Sequence, residues 1–351
     1  LTANPFLGVV LHALGGLAAG SFYIPFKKVK FWAWESYWLV GGVFSWIIAP
    51  WIVSFLTIPN LLNVLSDAPT GSVFASYCFG VLWGVGGLTF GLSMRYLGMS
   101  LGYALALGFC AAFGTIIPPI FNGQIFDILA KLSGWTTLVG VLVCLAGIAV
   151  CGKAGVRKER ELSDEEKKKT IREFNFAKGV WVAIFAGIMS ACMAFGITAG
   201  KPIANLAIEQ GAPSLWSNNP VFIVILAGGF TTNCIWCVFL NYRNRTGKDY
   251  LTGSGSTLAA NYLFSALAGT TWYLQFMFYG MGTTKMGKYD FSSWSIHMAF
   301  IIVFSTLWGL FFHEWKGTSP RTYRLVFIGI FVLILSTLII GCGNYLASLQ
   351  R

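Results

Sequence analysis

KAGVRKERELSDEEKKKTIREFNFAK, residues 153–178, is the one long hydrophilic connection in a chain of 351 residues. It holds nine basic and six acidic residues, although the chain as a whole is only 11% charged and 56% hydrophobic. A soluble domain carries about 25% charged residues. On both sides of the stretch run apolar segments of about 20 residues, each long enough to cross a hydrocarbon core about 30 Å thick. Such a chain is a polytopic membrane protein. Lipid cannot satisfy open backbone groups, and the two-residue alternation of a barrel is absent, so the spans must be bundled helices. The first run lacks a basic n-region and a small-residue cleavage site, so no cleavable signal is expected.

Working outward from that stretch, the apolar periodicity predicts ten spans, near 6–26, 35–56, 73–94, 99–121, 135–152, 179–200, 217–240, 257–282, 291–312 and 325–347. The hydrophilic stretch then divides them five and five, into 1–152 and 179–351. An odd number per half forces the second half to enter from the opposite side, so any repeat is inverted. Of the 24 lysines and arginines, 19 fall in the odd-numbered connections. The positive-inside rule therefore puts those connections in the cytoplasm and both termini in the periplasm. Within the linker, Ser163 followed by Glu166 predicts a capping box opening a short amphipathic helix. Weak internal symmetry agrees with the division. Trp83, Phe90 and Gly91 of span three match Trp272, Tyr279 and Gly280 of span eight, and Gly98 and Gly287 stay in register. The expected fold is an all-α membrane protein of ten helices in two inverted five-helix repeats, with a transport site at their interface.

The net charge of +11 does not imply nucleic acid, because the cations sit between apolar runs, where they anchor the chain at the membrane surface. Cys234 and Cys237 form a lone CxxC on an expected membrane helix and are read as packing residues rather than metal ligands. No phosphate-binding loop, His-Glu-x-x-His or Gly-x-Ser-x-Gly is present, so neither an ATP-driven pump nor a hydrolase is supported.

What remains is a short set of polar groups at membrane depth. Glu35 opens span two directly after Lys27, Lys28, Lys30 and the aromatic cluster Phe31, Trp32 and Trp34. It reads either as an acid favoured by the helix dipole or as a cytoplasmic-side proton carrier or gate, with Lys27, Lys28 and Arg95 as basic partners. His12 and His297 each lie about six residues into spans that start outside, about 9 Å deep at 1.5 Å per residue. Both are candidates for carrying a proton or bonding a hydroxyl. Trp272, Gln275, Phe276 and Tyr279 share one helical face. An amide in lipid is costly without a partner, and its donors and acceptor match the hydroxyls of a sugar. Trp272 suits the apolar face of a sugar ring, and Trp83 is its counterpart in span three. The plainer reading of this face is an aromatic packing seam with one satisfied amide. Lys201-Pro202 reads as an interface anchor.

The strings FYIPFKKVKFWAWES (22–36), SMRYLGMSLG (93–102), KP (201–202), WYLQFMFYGMG (272–282) and YDFSSWSIHMAF (289–300) resemble the L-rhamnose–proton symporter family of the drug/metabolite transporter superfamily. The resemblance reaches from the first span to the ninth. It implies a bacterial inner-membrane carrier, not an enzyme, that takes up L-rhamnose with protons, and with lyxose and mannose as further sugars to consider. His12, Trp83, Trp272, Gln275 and Tyr279 would contact sugar, and Glu35, His12 and His297 would couple or gate. No cofactor is implied beyond the coupling ion, H+ or alternatively a divalent cation, and the expected state is a monomer in membrane lipid. Span three departs from the family pattern, with Gly87, Thr89 and Phe90 where asparagine and tyrosine are usual, so polar sugar contacts from that helix are in question. The alternatives left open are an exporter of the same fold and a membrane sensor or scaffold.

Overall fold

The computed structural model describes residues 3–97, 99–161 and 176–349, and these are helical with no strand among them. The long helices are α1 Pro5–Ser21, α2 Trp34–Thr57, α3 Thr70–Leu97, α4 Met99–Phe121, α5 Leu132–Glu161, α6 Phe176–Ala199, α7 Asn219–Asn244, α8 Gly255–Met286, α9 Ser293–Phe311 and α10 Pro320–Leu349. Nine segments of the described residues are long and apolar enough to cross a membrane. One of them, Gly255–Phe311, contains both α8 and α9, which part at a 3-10 turn begun by Gly287 with φ +76°.

Local chemistry sets several of the ends. Pro5 occupies the first turn of α1, and Asn4 Oδ1 accepts from Leu7 N at 3.1 Å, which satisfies one orphan donor. Helix α5 runs past Lys153 to Glu161, so the beginning of the hydrophilic stretch continues the fifth helix instead of leaving it. Arg157 and Glu161 pair one turn apart there, and Glu161 also accepts from Ser319 N and Oγ at the start of α10. The expected capping box at Ser163 and Glu166 lies outside the described residues.

Helix α2 changes pitch midway. Val43–Ile48 forms a π-helical segment, and Pro50 follows it directly. Proline has no N–H to give to the carbonyl of Trp46, and its ring crowds that carbonyl, so the wider turn absorbs the conflict. The segment turns the Trp46 ring into the protein, against Trp38 and Trp83.

Helix α1 is wedged between α8 and α9, and α6 between α3 and α4. Helices α2 and α7 flank the interior beside α8 and α3, and α5 and α10 pack on each other. Missing side chains make the closest crossings. A Cβ on Gly269 of α8 would collide with the carbonyl oxygen of Gly41 on α2, and one on Gly228 of α7 with that of Tyr77 on α3. Small residues let membrane helices touch backbone to backbone, where lipid offers no hydrophobic drive for association.

Gly269→Ala should therefore cost about 1–3 kcal/mol through overpacking. Gly71→Ala, whose added methyl meets nothing within 4 Å, should be near neutral. The apparent melting temperatures of the two variants in detergent, compared with the parent, check this.

Candidate functional site

Three helices bring four polar side chains into the centre of the bundle. Helix α1 contributes His12, α8 contributes Gln275 and Tyr279, and α9 contributes His297; all four are buried. Glycines make the space. A Cβ on Gly282 would stand 2.8 Å from the His12 ring, and one on Gly15 would stand 3.3 Å from the His297 ring. The two imidazole centroids are 6.4 Å apart, and the Tyr279 ring lies 5.2 Å from each. His297 Nε2 and Gln275 Oε1 meet at 3.4 Å. Both nitrogens of His12, Gln275 Nε2 and His297 Nδ1 have no hydrogen-bond partner among the described residues. Buried polar atoms of this kind are costly unless a ligand's hydroxyls or a proton meet them.

A cavity of about 290 Å³ leads to this cluster from one end of the bundle. Tyr279 and Trp294 form its floor, with ring centroids 5.6 Å apart, and Trp294 is held by donating Nε1–H to the Cys110 carbonyl at 3.1 Å. Beneath them lies His297, 6.3 Å from Trp294. Asn122, Asn218 and Thr284 line the upper walls. At the mouth Lys201 Nζ meets Asp290 Oδ2 at 2.7 Å, tying the α6 end to the α8–α9 turn. Lys201 thus has a specific partner across the mouth.

The other end, where α5 finishes and α10 starts, is closed by two layers. The first is aromatic: the Trp272 ring lies 4.3 Å from Phe22 and 6.1 Å from Phe276, and Phe22 and Phe26 both pack on Trp38. The second layer is polar. Glu35 Oε1 accepts from Asn244 Nδ2 and Thr246 Oγ1, each at 2.9 Å. Asp249 Oδ2 accepts from Ala33 N at 2.8 Å and Ser36 Oγ at 2.9 Å, so an acid from the loop after α7 caps α2. Asn261 of α8 holds Lys30 by both its N and its O. Lys27 meets Glu314 at 3.6 Å.

The sequence-predicted residues fall into three groups. His12, Gln275, Tyr279 and His297 come together. Trp272 and Trp83 belong to the aromatic layer next to that cluster, Trp83 lying 5.6 Å from Phe276. Glu35 stands in the polar layer at the far end, and the partners described for it are neutral, not basic. The side chain of Arg95 lies outside the described residues. Sequence reading missed Trp294, although it stands three residues before His297 on the same helical face. It also missed Asn241, Asn244, Thr246 and Asp249, whose polar run NYRNRTGKDY (241–250) reads as an ordinary loop.

A family model described as L-rhamnose-proton symport protein matches residues 2–346. The chain belongs to this family. It is 38% identical over 340 residues to the L-rhamnose-proton symporter of Yersinia pestis (strain Pestoides F), covering 96% of this chain and 97% of that protein. Identity and coverage are the same for the L-rhamnose-proton symporter of Yersinia pseudotuberculosis serotype O:1b (strain IP 31758). Membership of the L-rhamnose-proton symport family thus spans both halves of the bundle and every residue of the buried cluster.

The cavity predicts one-sided accessibility. In a background lacking the native cysteines, Asn122→Cys and Thr284→Cys should react with a membrane-impermeant maleimide from the cavity end. Ser265→Cys, buried beneath the aromatic layer, should stay unlabelled from that end. Equal labelling of all three would mean that the aromatic layer does not seal the bundle.

Proposed function

We propose that this chain is a secondary active transporter that takes L-rhamnose into the cell with protons, across the bacterial inner membrane, by alternating access. The observation that carries the reading is the buried His12–Gln275–Tyr279–His297 cluster. It holds unpartnered donors and acceptors beneath the Tyr279–Trp294 floor of a cavity that opens at one end of the bundle. Family membership supports the sugar and the ion, since the relatives carry the name L-rhamnose-proton symporter.

In this mechanism Gln275 and His12 bond sugar hydroxyls, while Tyr279 and Trp294 cover the sugar from the cavity side. Trp272 and Trp83 present aromatic surface at the foot of the site. The imidazole pair is suited to carrying one proton, because two imidazolium charges about 6 Å apart would repel strongly in so dry a site. One proton moving down the membrane potential supplies about 2.3 kcal/mol per 100 mV, which corresponds to roughly fifty-fold accumulation. A divalent coupling ion is the competing choice, and lyxose and mannose are the sugars to compare with L-rhamnose.

The finer architecture is part of the proposal: ten membrane passages in two inverted five-helix repeats joined by a cytoplasmic linker, with periplasmic termini and a monomeric working unit. Reciprocal packing supports the repeats, because α1 sits between α8 and α9 as α6 sits between α3 and α4. The distribution of lysine and arginine supports the orientation. On that orientation the cavity faces the periplasm and the polar layer around Glu35 is the inner gate. Opening that gate breaks the bonds from Glu35 to the α7 end and from Asp249 to the start of α2, and releases sugar inward.

Uptake of labelled L-rhamnose into proteoliposomes, with and without an imposed pH gradient, tests the function. No accumulation above the equilibrated level under a gradient would reject it.

Gln275→Ala should weaken L-rhamnose binding by about tenfold or more, since removing a hydrogen-bond partner in a buried site costs about 1–3 kcal/mol. Unchanged stabilisation of the variant by the sugar would remove Gln275 from the site.

Glu35→Gln keeps an amide oxygen for Asn244 and Thr246 but loses the charge. With Glu35 as the group through which the proton leaves the imidazole pair at the inner gate, the variant should retain sugar binding and exchange while losing uphill accumulation. A Glu35→Gln variant that concentrates L-rhamnose like the parent would make Glu35 a gate acceptor only, leaving coupling to the imidazole pair.

A further inference from the structure

Away from the central site, α4 and α5 enclose a groove of about 930 Å³. On α5 it is lined by Leu145, Ile148 and Gly152, then by Lys153, Arg157 and Arg160. Counted from Leu145 they stand at i+3, i+7, i+8, i+12 and i+15, so they form one face of the helix. That face is apolar up to Gly152 and basic from Lys153 onward. The apolar part from Leu145 to Lys153 is about 12 Å long at 1.5 Å per residue. On α4 the floor is Gly108, where an added Cβ would meet nothing closer than Ile148 Cγ2, at 3.8 Å. Among the described residues the only acid lining the groove is Glu161, which is bonded mainly to the start of α10. Its carboxylate accepts from Ser319 N at 2.7 Å and Thr322 Oγ1 at 2.8 Å, as well as from Arg157. Lys153 and Arg160 are exposed at the groove's end.

We propose that this groove binds one anionic phospholipid of the surrounding membrane, with an acyl chain along the apolar face of α5 and the phosphate among Lys153, Arg157 and Arg160. Two features select this occupant. The apolar part lies within a membrane-spanning segment, so a lipid chain reaches it without crossing water. The polar part is basic at the level where the helix leaves the apolar run, which is where a headgroup sits. Guanidinium groups match phosphate oxygens in paired hydrogen bonds, and clustered cations beside a membrane helix draw anionic headgroups. A zwitterionic lipid fills the apolar part equally well but leaves these cations without a net counter-charge.

The test is native mass spectrometry of the purified full chain in detergent, titrated with phosphatidylglycerol or with phosphatidylcholine of the same acyl chains. One phosphatidylglycerol should bind at a concentration at least tenfold lower than phosphatidylcholine requires. Lys153→Gln combined with Arg160→Gln should remove that preference. Gly108→Leu, which fills the floor in open space, should remove the bound lipid of either kind while the melting temperature without lipid stays unchanged. Equal binding of the two lipids by the parent would overturn the proposal, as would a preference that survives both variants. Displacement of the lipid by glycerol 1-phosphate at comparable concentration would also overturn it, because the site would then belong to a soluble anion.

Discussion

Backbone contact between helices is the constraint on which this bundle depends. At Gly269 with Gly41, and at Gly228 with Tyr77, backbone meets backbone, and a Cβ on Gly269 or Gly228 would collide with a carbonyl. In water such crossings would be a minor detail of packing. In lipid, close van der Waals contact is a large share of what holds helices together. The same device creates the site. The imidazoles of His12 and His297 fit inside the bundle because Gly282 and Gly15 leave them room. Structural glycine and functional histidine are two sides of one arrangement.

The interior is layered along the membrane normal, and each layer has a different chemistry. An ion pair spans the mouth, two aromatic rings floor the cavity, and an unpartnered polar cluster lies under them. Aromatic rings follow, and last comes a set of amide, hydroxyl and carboxylate groups that bond one another. The cluster concentrates unpartnered polar atoms on His12, Gln275 and His297, while Glu35 and Asp249 of the polar layer at the closed end are well bonded. Stability and binding capacity are thereby kept apart. The well-bonded layer holds α2, α7 and α8 together, and the unsatisfied layer is left ready to bond to something else.

Much of this was legible in the chain. Apolar length gave the helices, and the equal depth read for His12 and His297 is compatible with two rings 6.4 Å apart, although depth alone does not bring them together. The face shared by Gln275 and Tyr279 pointed inward as the helical period required. The unread part depends on contacts between residues far apart in sequence. Asp249 caps a helix that starts more than two hundred residues earlier, and Asn244 reaches Glu35 over a similar separation. No local pattern marks an acid as the cap of a distant helix. Trp294 escaped for a different reason: a tryptophan near a helix start in lipid reads as an interface anchor, and only its bond to the Cys110 carbonyl reveals a floor.

The π-helical turn in α2 has a consequence for motion. It places one more residue in a turn than the regular helix does, so the side chains beyond it are rotated by about 100° relative to an unbroken helix. The first half of α2 carries Glu35 and Trp38 in the closed layers, and the second half carries Trp51 and Ser54 toward the other end. A bulge of this kind can shift along its helix by exchanging one carbonyl partner for the next, with little loss of hydrogen bonding. Such a step re-aims the side chains it passes over, Trp46 among them, while the Glu35 end and the Ser54 end keep their relative rotation. Helix α2 can then repack its middle against Trp38 and Trp83 while both of its ends stay seated.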